Sequence, residues 1–292
     1  MNGQHRPAVG RDSLGVLSRP AREPDLTLRY GEGSEQLADV HLPAVQARPP
    51  AGSGQMTLAI FLHGGFWRAE YGREHTAPLA EALADAGFAV CAPEYRRTGQ
   101  PGGGWPGTFD DVAAAVDRLP DAVAAATGGL TGRDRVVLAG HSAGGHLALW
   151  AAARHRLPAG SPWRTDQASC RSVVALAAVS DLATCYRRRL GQQAAGALMG
   201  GGYDELPDRY GQADPLELLP AGVPVWLVHG TADDRVPVEM SLSYALHARA
   251  AGASGAASAT CVLLPGTGHF ELIDPLAAEW PEVVRAFSRA AG

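Results

Sequence analysis

The feature that most constrains the fold of this chain is an alternation of short apolar runs with helical patterns, which extends from about residue 26 to the C-terminus. Runs such as Met56–Leu62 are almost wholly apolar, as is typical of strands buried on both faces of a sheet. Between the runs, apolar side chains recur at helical spacing, for example at Phe109, Val112 and Val116. The alternation predicts an α/β fold with a mostly parallel central sheet and helices on both faces.

The same patterns locate the individual elements. The predicted strands are Leu26–Tyr30, Leu37–Leu42, Met56–Leu62, Phe88–Ala92, Arg135–Ala139, Ser172–Ala178, Val223–Val228 and Thr260–Leu264. The predicted helices are His75–Ala86, one through Phe109–Leu119 with Thr108 as N-cap, Gly144–Arg154, Val238–Arg249 and Pro281–Ala290. The first two strands alternate with period two and are expected to form an antiparallel pair.

We expect a single α/β domain over residues 25–292. The stretch 182–221 interrupts the alternation and is expected to form a lid-like helical excursion over the carboxyl edge of the sheet, where such folds bind ligands. Residues 1–24 are polar and contain several Pro and Arg. We expect them to be a disordered N-terminal extension that can be removed without loss of activity.

Composition excludes several classes of function. The 292 residues include 25 basic and 30 acidic side chains, a balance that argues against binding to nucleic acid or to an anionic membrane. Every basic residue is arginine, which excludes Schiff-base chemistry and the phosphate-binding lysine of P-loop enzymes. No run reaches the roughly 18 apolar residues of a membrane span. The N-terminus also lacks the apolar region of a secretory signal, so we expect a cytoplasmic protein.

The sequence carries no pattern for a metal or a cofactor, and we expect neither. The four cysteines are scattered without metal-ligand spacing and are expected to be reduced, packed thiols. Gly102–Gly107 formally matches G-x-G-x-x-G, but its Trp-Pro insert and the missing acidic ribose partner argue against a dinucleotide site. The expected partner is a small-molecule amide or ester substrate, and a homodimer is a candidate assembly.

One catalytic motif lies where a predicted strand meets a predicted helix. Gly140–Gly144 has the pattern G-x-S-x-G, follows the strand Arg135–Ala139 and opens the next helix. This is the context of a nucleophile elbow, a sharp turn that projects a serine hydroxyl at the edge of a sheet. Glycines are needed there because the backbones approach too closely for a Cβ atom. Ser142 is therefore the candidate nucleophile.

A serine nucleophile needs a base that takes its proton and an acid that orients the base. In folds with this elbow, the acid and then the histidine follow the serine along the chain. Asp233 and His269 each follow a predicted strand, so that Ser142, Asp233 and His269 occur in this order. Asp234 remains an alternative acid, because spacing alone does not separate two neighbours.

A glycine pair in His63–Trp67 follows the third predicted strand. Such a pair lets backbone N–H groups point towards a developing oxyanion. By analogy of position, we expect these donors to be the amides of Gly65, Phe66 and Ala143. We expect His63 itself to brace the loop by hydrogen bonds.

These segments resemble a known family. His63–Trp67 resembles the HGGxW motif of the kynurenine formamidase (arylformamidase) group, which belongs to the esterase/lipase branch of the α/β-hydrolases. Gly140–Leu147 and His269–Ile273 resemble the same branch, and the similarity extends from about Leu26 to the C-terminus.

The resemblance implies the α/β-hydrolase fold and a metal-free reaction, the hydrolysis of N-formyl-L-kynurenine to kynurenine and formate. It implies a triad of Ser142, Asp233 and His269, with an oxyanion hole built by the backbone of the HGGxW motif. The residues that we assign to the motif or to substrate binding are His63, Gly64, Trp67, His141 and Phe270.

Other functions stay open at this point. A carboxylesterase or acetylesterase that acts on short-chain esters would use the same residues and differ in the volume of its acyl pocket. A non-catalytic binding module of this fold would usually lack a triad member. The run Arg187–Arg189 could clamp a substrate carboxylate, although a solvated surface is the commoner role of such a run. Aromatic residues in the edge loops, such as Phe66, Tyr71 and Phe270, could form an aryl-binding wall.

Overall fold

The structure is a computed structural model that describes residues 14–48, 54–252 and 258–292. The strands are β1 (Leu26–Arg29), β2 (Leu37–His41), β3 (Met56–Leu62), β4 (Ala89–Pro93), β5 (Thr131–His141), β6 (Ser172–Leu176), β7 (Val225–Gly230) and β8 (Ala259–Leu264). They form one sheet in the order β1-β2-β4-β3-β5-β6-β7-β8. β2 runs antiparallel to β1 and to β4, whereas the neighbours from β4 to β8 are parallel. The predicted α/β fold is confirmed.

Helices connect the strands and cover both faces of the sheet. They are α1 (Ala77–Asp85), α2 (Gly107–Ala126), α3 (Ala143–Ala152), α4 (Leu182–Arg187), α5 (Leu190–Met199), α6 (Pro207–Ala213), α7 (Glu239–Ala250) and α8 (Trp280–Ala291). Short 3-10 turns lie at Gly15–Ser18, Val45–Ala47, Arg73–Thr76, Arg154–Arg156 and Phe270–Ile273.

The two faces of the sheet bury separate clusters because alternate side chains of a strand point to opposite faces. Leu58, Ile60 and Leu62 of β3 pack in the cluster that α2, α3 and α7 cover. Ala59 and Phe61 pack in the cluster that α1 and α8 cover. A strand buried on both sides must be apolar at nearly every position, which is why β3 lacks the alternation of the first two strands.

The parallel order brings the loops that follow β3, β5, β7 and β8 to one edge of the sheet. The chain leaves β3 towards β4 on one side and then returns to β5 on the other, so the strand order reverses at β3. The connecting helices α1 and α2 lie on opposite faces. A crevice forms at such a reversal, next to the carboxyl ends of the strands, and this is where α/β sheets bind ligands.

The structure differs from the expected disorder of residues 1–24 over the described part of that segment, 14–24. Gly15–Ser18 forms a 3-10 turn in which the side chain of Val16 is fully buried. Arg19 pairs with Asp274 at 2.9 Å. One buried apolar side chain and one ion pair attach this segment to the domain. The average composition of residues 1–24 does not reveal such individual contacts. Residues 1–13 lie outside the described residues.

The stretch 182–221 contains α4, α5 and α6, in line with the expected helical excursion. It contacts the loop after β3: the guanidinium of Arg68 donates to the carbonyl of Gly191. The ring of Phe66 lies so close that a Cβ atom on Gly191 would be 2.6 Å from it. The excursion therefore packs directly against the loop that carries the glycine pair.

Thr108 is one residue inside α2 instead of at its N-cap, because the helix begins at Gly107. Its hydroxyl donates to the carbonyl of Arg96 at 2.6 Å and accepts from the amide of Gly104 at 3.0 Å. The side chain thus links the preceding glycine loop to the segment that follows β4.

All four cysteines are free thiols. Across the described ranges, no helix is both long and apolar enough to cross a membrane.

A buried histidine lies in the middle of the fold. His146 on α3 is fully buried, edge-on to the rings of Trp67 and Phe109. Its Nε2 donates to the carbonyl of Ala213 at 2.9 Å. Burial lowers the pKa of His146 to about 4.

This burial predicts a loss of stability in acid. Below pH 6.5, the ordinary pKa of histidine, the unfolded chain binds a proton at His146 that the native state excludes. The free energy of unfolding should therefore fall as pH drops from about 6.5 to about 4, with roughly 3 kcal/mol coming from this residue. We expect His146→Gln to flatten the dependence of Tm on pH, whereas His247→Gln, at an exposed position on α7, keeps the original slope. Equal slopes in the two variants would contradict the assignment.

Candidate active site

The elbow after β5 holds Ser142 in a strained backbone conformation. Its φ of 57° and ψ of −117° lie in a region that residues with a Cβ atom rarely occupy. The amide of Ser142 donates to the carbonyl of Leu176 at 2.8 Å, and its own carbonyl accepts from the amide of Val179 at 3.2 Å. A Cβ atom on Gly144 would lie 2.0 Å from the carbonyl oxygen of Leu62, so glycine is required for this close approach. The strain is thus held by contacts with β3 and β6.

A short hydrogen bond joins His269 to Asp233. Nδ1 of His269 donates to Oδ2 of Asp233 at 2.6 Å, and their side chains are 4% and 0% exposed. With its proton on Nδ1, the imidazole leaves Nε2 free to accept a proton, as a general base requires. His269 and Ser142 line the same cavity. The structure therefore brings together three candidate residues that are spread over positions 142–269 of the sequence.

Asp233 is surrounded by hydrogen-bond donors. Oδ1 accepts from the amides of Arg235 and Val236, both at 2.8 Å, and Nε2 of His229 lies 3.2 Å from Oδ2. Burial by itself would raise the pKa of Asp233, but the hydrogen bonds from His229 and His269 outweigh it and hold that pKa far below its usual value. The carboxylate stays ionised and can stabilise a positive charge on His269.

The neighbouring acid has a different environment. The side chain of Asp234 is 77% exposed and lies 3.4 Å from Arg235. Geometry thus favours Asp233 over Asp234 as the partner of His269, a choice that the sequence left open.

The loop after β3 faces the elbow. Gly65 has a φ of 105°, and a Cβ atom there would lie 2.4 Å from Cβ of Tyr71, so this position also needs glycine. Gly65 and Phe66 line the cavity together with Ser142. Among the described residues, no protein group accepts a hydrogen bond from the amides of Gly65, Phe66 or Ala143. Unpaired N–H groups beside a candidate nucleophile are suited to binding an oxyanion.

His63 holds this loop to the sheet, as expected from the sequence. Its Nε2 lies 2.7 Å from Oε1 of Glu94, and its Nδ1 lies 2.8 Å from the carbonyl of Gly64. The ring stacks on Tyr95 with centroids 4.3 Å apart. Burial would raise the pKa of Glu94, but His63 and Arg97 outweigh it and lower that pKa to about 2. Glu94 is therefore a buried anion that anchors the loop.

A small cavity lies over Ser142. Its volume is about 80 Å³, well below the roughly 300–1,000 Å³ of pockets that enclose drug-sized ligands. It is lined by Leu17, Gly65, Phe66, Tyr71, His75, His141, Ser142, Arg235, His269 and Phe270. The apolar side chains dominate this wall, so the space beside the serine suits a small apolar group.

The other predicted motif residues lie in two environments. Phe270 and His141 line the cavity. Nε2 of His141 donates to the carbonyl of His269 at 3.1 Å, and burial together with the charge of His269 keeps the pKa of His141 well below its usual value. Trp67 is fully buried against His146, with ring centroids 5.2 Å apart, and lies outside the cavity lining. Of the two roles expected for Trp67, part of the motif or contact with substrate, its position in the core fits the first.

Several residues of the site escaped the sequence analysis. Glu94 directly follows β4, and His229 lies at the end of β7, four positions before Asp233. A histidine or an acid at the end of a strand was therefore a sequence signal that could have identified both as site residues. His75 also lines the cavity, and burial together with the charge of His63 lowers its pKa to about 4. Leu17 carried no sequence signal at all.

Two weaker candidates lie away from the cavity. Arg187–Arg189 is exposed, and the guanidinium of Arg187 lies 4.7 Å from the ring centroid of Tyr203, which agrees with a solvated surface. In the Gly102–Gly107 loop, the amide of Trp105 donates to the carbonyl of Leu198 on α5 at 2.7 Å. Across residues 14–48, 54–252 and 258–292, no three His, Cys, Asp or Glu side chains gather as metal ligands.

Solved structures with the same architecture identify the class of fold. A truncated carbohydrate esterase from gut microbiota aligns with a TM-score of 0.72 at 20% identity, over 92% of this chain and 99% of that chain. Esterase B from Lactobacillus rhamnosis aligns with a TM-score of 0.71 at 22% identity, over 96% of this chain and 90% of that chain. The protein has the α/β-hydrolase fold.

The chain belongs to the BD-FAE family, whose model matches residues 45–248. Among curated relatives, esterase LipC from Mycobacterium tuberculosis is 29% identical over 258 residues, which cover 84% of this chain and 59% of LipC. Kynurenine formamidase from Salmo salar is 31% identical over 123 residues, which cover 42% of this chain and 36% of that protein. The chain thus spans less than two thirds of the length of either relative. The longer match is to an esterase.

The different environments of the two neighbouring acids give a testable prediction. Asp233→Asn should lower kcat by about 10³–10⁴-fold, because an amide in this position favours the wrong tautomer of His269 and cannot stabilise its charged form. Asp234→Asn should change kcat less than about twofold, because the side chain is exposed. Both variants should be compared by kcat and Tm in one ester assay, and the reverse ranking would reassign the acid.

Proposed function

We propose that this protein is a serine carboxylesterase that hydrolyses esters of short-chain acids through an acyl-enzyme intermediate. The observation that carries the proposal is the 2.6 Å hydrogen bond between His269 and Asp233 at a cavity that Ser142 also lines. A histidine held this way beside a serine on a strained elbow is the arrangement that activates a hydroxyl nucleophile. Membership of the BD-FAE family and the long match to LipC support an esterase.

In the proposed mechanism, Oγ of Ser142 attacks the ester carbonyl carbon while its proton passes to Nε2 of His269. The amides of Gly65, Phe66 and Ala143 stabilise the resulting oxyanion. Collapse of this intermediate breaks the bond to the alcohol, which leaves with the proton from His269.

Water then hydrolyses the acyl-enzyme by the same steps. It attacks the carbonyl carbon of acyl-Ser142 and gives a proton to His269. Collapse of the second intermediate releases the carboxylic acid and returns the proton to Ser142. Asp233 stabilises the imidazolium of His269 in both halves of the reaction.

A second candidate is the hydrolysis of an N-formyl arylamine such as N-formyl-L-kynurenine. The partial match to the salmon kynurenine formamidase favours it, as does the small cavity of about 80 Å³, which has room for a formyl group. The same residues would serve in the same roles, with the arylamine as leaving group. We rank it second because the family and the longer match are to esterases.

The test is to measure kcat/KM for p-nitrophenyl acetate, p-nitrophenyl butyrate and N-formyl-L-kynurenine, with Ser142→Ala as the blank. We expect turnover of the esters and a decrease of at least about 10⁴-fold in Ser142→Ala, because triad members act as a unit. Circular dichroism and Tm should show that the variant is folded.

Each alternative has its own signature in this experiment. A kcat/KM for N-formyl-L-kynurenine far above that for either ester would make the protein a formamidase. Equal turnover in the wild type and a folded Ser142→Ala would contradict the mechanism. A non-catalytic binding module would show no turnover in either protein and would bind a ligand equally well in both.

A further inference from the structure

The segment of residues 14–22, which we term the N-terminal strap, is attached to the domain by an apolar anchor. Val16 is fully buried. It packs in the cluster beneath the sheet that also contains Leu79 of α1 and Leu272 of the 3-10 turn after His269. The turn of the strap, Gly15–Ser18, also contacts the turn Arg73–Thr76 that precedes α1. The strap therefore lies against two turns, Arg73–Thr76 and Phe270–Ile273, each of which contributes a residue to the cavity lining.

Polar contacts hold the strap beyond this anchor. Arg19 pairs with Asp274 at 2.9 Å, and their side chains are 24% and 14% exposed. The amide of Arg22 donates to Oε2 of Glu81 at 3.1 Å, and its guanidinium donates to the carbonyl of Leu42 at 2.9 Å. Anchors at positions 16, 19 and 22 leave the strap little freedom to move away from the site.

Leu17 lies between these anchors, and its side chain lines the cavity over Ser142. Phe66, Tyr71 and Phe270 also line this cavity. The cavity has a volume of only about 80 Å³. Adding or removing carbon atoms at Leu17 therefore changes a large fraction of the space beside Ser142.

The enclosed space suits the acyl part of an ester better than the alcohol part. The alcohol must leave after the first half of the reaction and needs an open route, whereas the acyl group stays bonded to Ser142 until water arrives. A small pocket with apolar walls excludes longer chains by steric overlap, and one methylene in such a pocket changes kcat/KM by roughly 10–200-fold.

From these contacts we propose that Leu17 determines the acyl-chain specificity of the enzyme, and that the strap is the element that fixes this side chain over Ser142. This inference rests on the proposed esterase function and adds to it the residue that selects the substrate. It also replaces the expectation that the N-terminal segment is dispensable, since loss of the strap would open the acyl pocket.

The test compares two substitutions that should act in opposite directions. Leu17→Ala enlarges the pocket and should raise the ratio of kcat/KM for p-nitrophenyl hexanoate to that for p-nitrophenyl acetate by about tenfold or more. Leu17→Phe fills the pocket and should lower the ratio of kcat/KM for p-nitrophenyl butyrate to that for the acetate, a ratio that Leu17→Ala should raise. General destabilisation of the protein cannot produce opposite shifts from one position.

Leu14→Ala is the matched control, because Leu14 belongs to the same strap, is 50% exposed and lies outside the cavity lining. It should leave both ratios unchanged. Labelling with a fluorophosphonate counts the active serines, so that each rate refers to folded enzyme.

Two different failures can be told apart. If the wild type turns over esters and its ratios persist in Leu17→Ala and Leu17→Phe, the inference about Leu17 is wrong and the esterase remains. If the wild type hydrolyses no ester faster than Ser142→Ala does, the proposed function is wrong, and the inference falls with it.

Discussion

The close approach of β3, β5 and α3 around Ser142 is the constraint on which the rest of the site depends. A residue with a Cβ atom in this backbone conformation costs about 1–3 kcal/mol, so the surrounding structure must hold it in place. Two backbone hydrogen bonds, to Leu176 and from Val179, tie both ends of the Ser142 peptide to the next strand and its loop. Gly144 allows α3 to start against the end of β3. The same approach sets the amide of Ala143 beside the loop that carries Gly65 and Phe66.

Two buried carboxylate–histidine pairs support this edge of the sheet in different ways. In both pairs, positive charge and hydrogen bonds around the carboxylate outweigh the cost of burial and keep it charged. The pair of Asp233 and His269 borders the cavity, and we assign to it the movement of the proton. Neither Glu94 nor His63 lines this cavity. Their pair holds the loop that would bind the oxyanion.

Much of this architecture could be predicted from local patterns. Apolar runs predicted β3 to β8 to within a few residues, because a strand buried on both faces has almost no choice of residue type, and alternation of period two predicted β1 and β2. The elbow around Ser142 was predictable because close backbone approach demands glycines at fixed offsets. Local spacing could not choose between Asp233 and Asp234, because the path of the loop after β7 determines which carboxylate faces His269. It also could not decide whether Trp67 belongs to the substrate site or to the core, where the ring packs.

The sequence by itself determined the class of fold, the order of the candidate nucleophile, acid and base, and the exclusion of lysine-dependent chemistry. These follow from residue type and spacing along the chain. Only the tertiary structure decided which acid meets His269, which buried anion anchors the loop after β3, and that Leu17 lines the cavity. Each of these depends on contacts between segments far apart in the sequence, and their strength comes from burial and hydrogen bonding. Neither the burial nor the hydrogen-bond partners of a side chain can be read from a pattern of neighbouring residues.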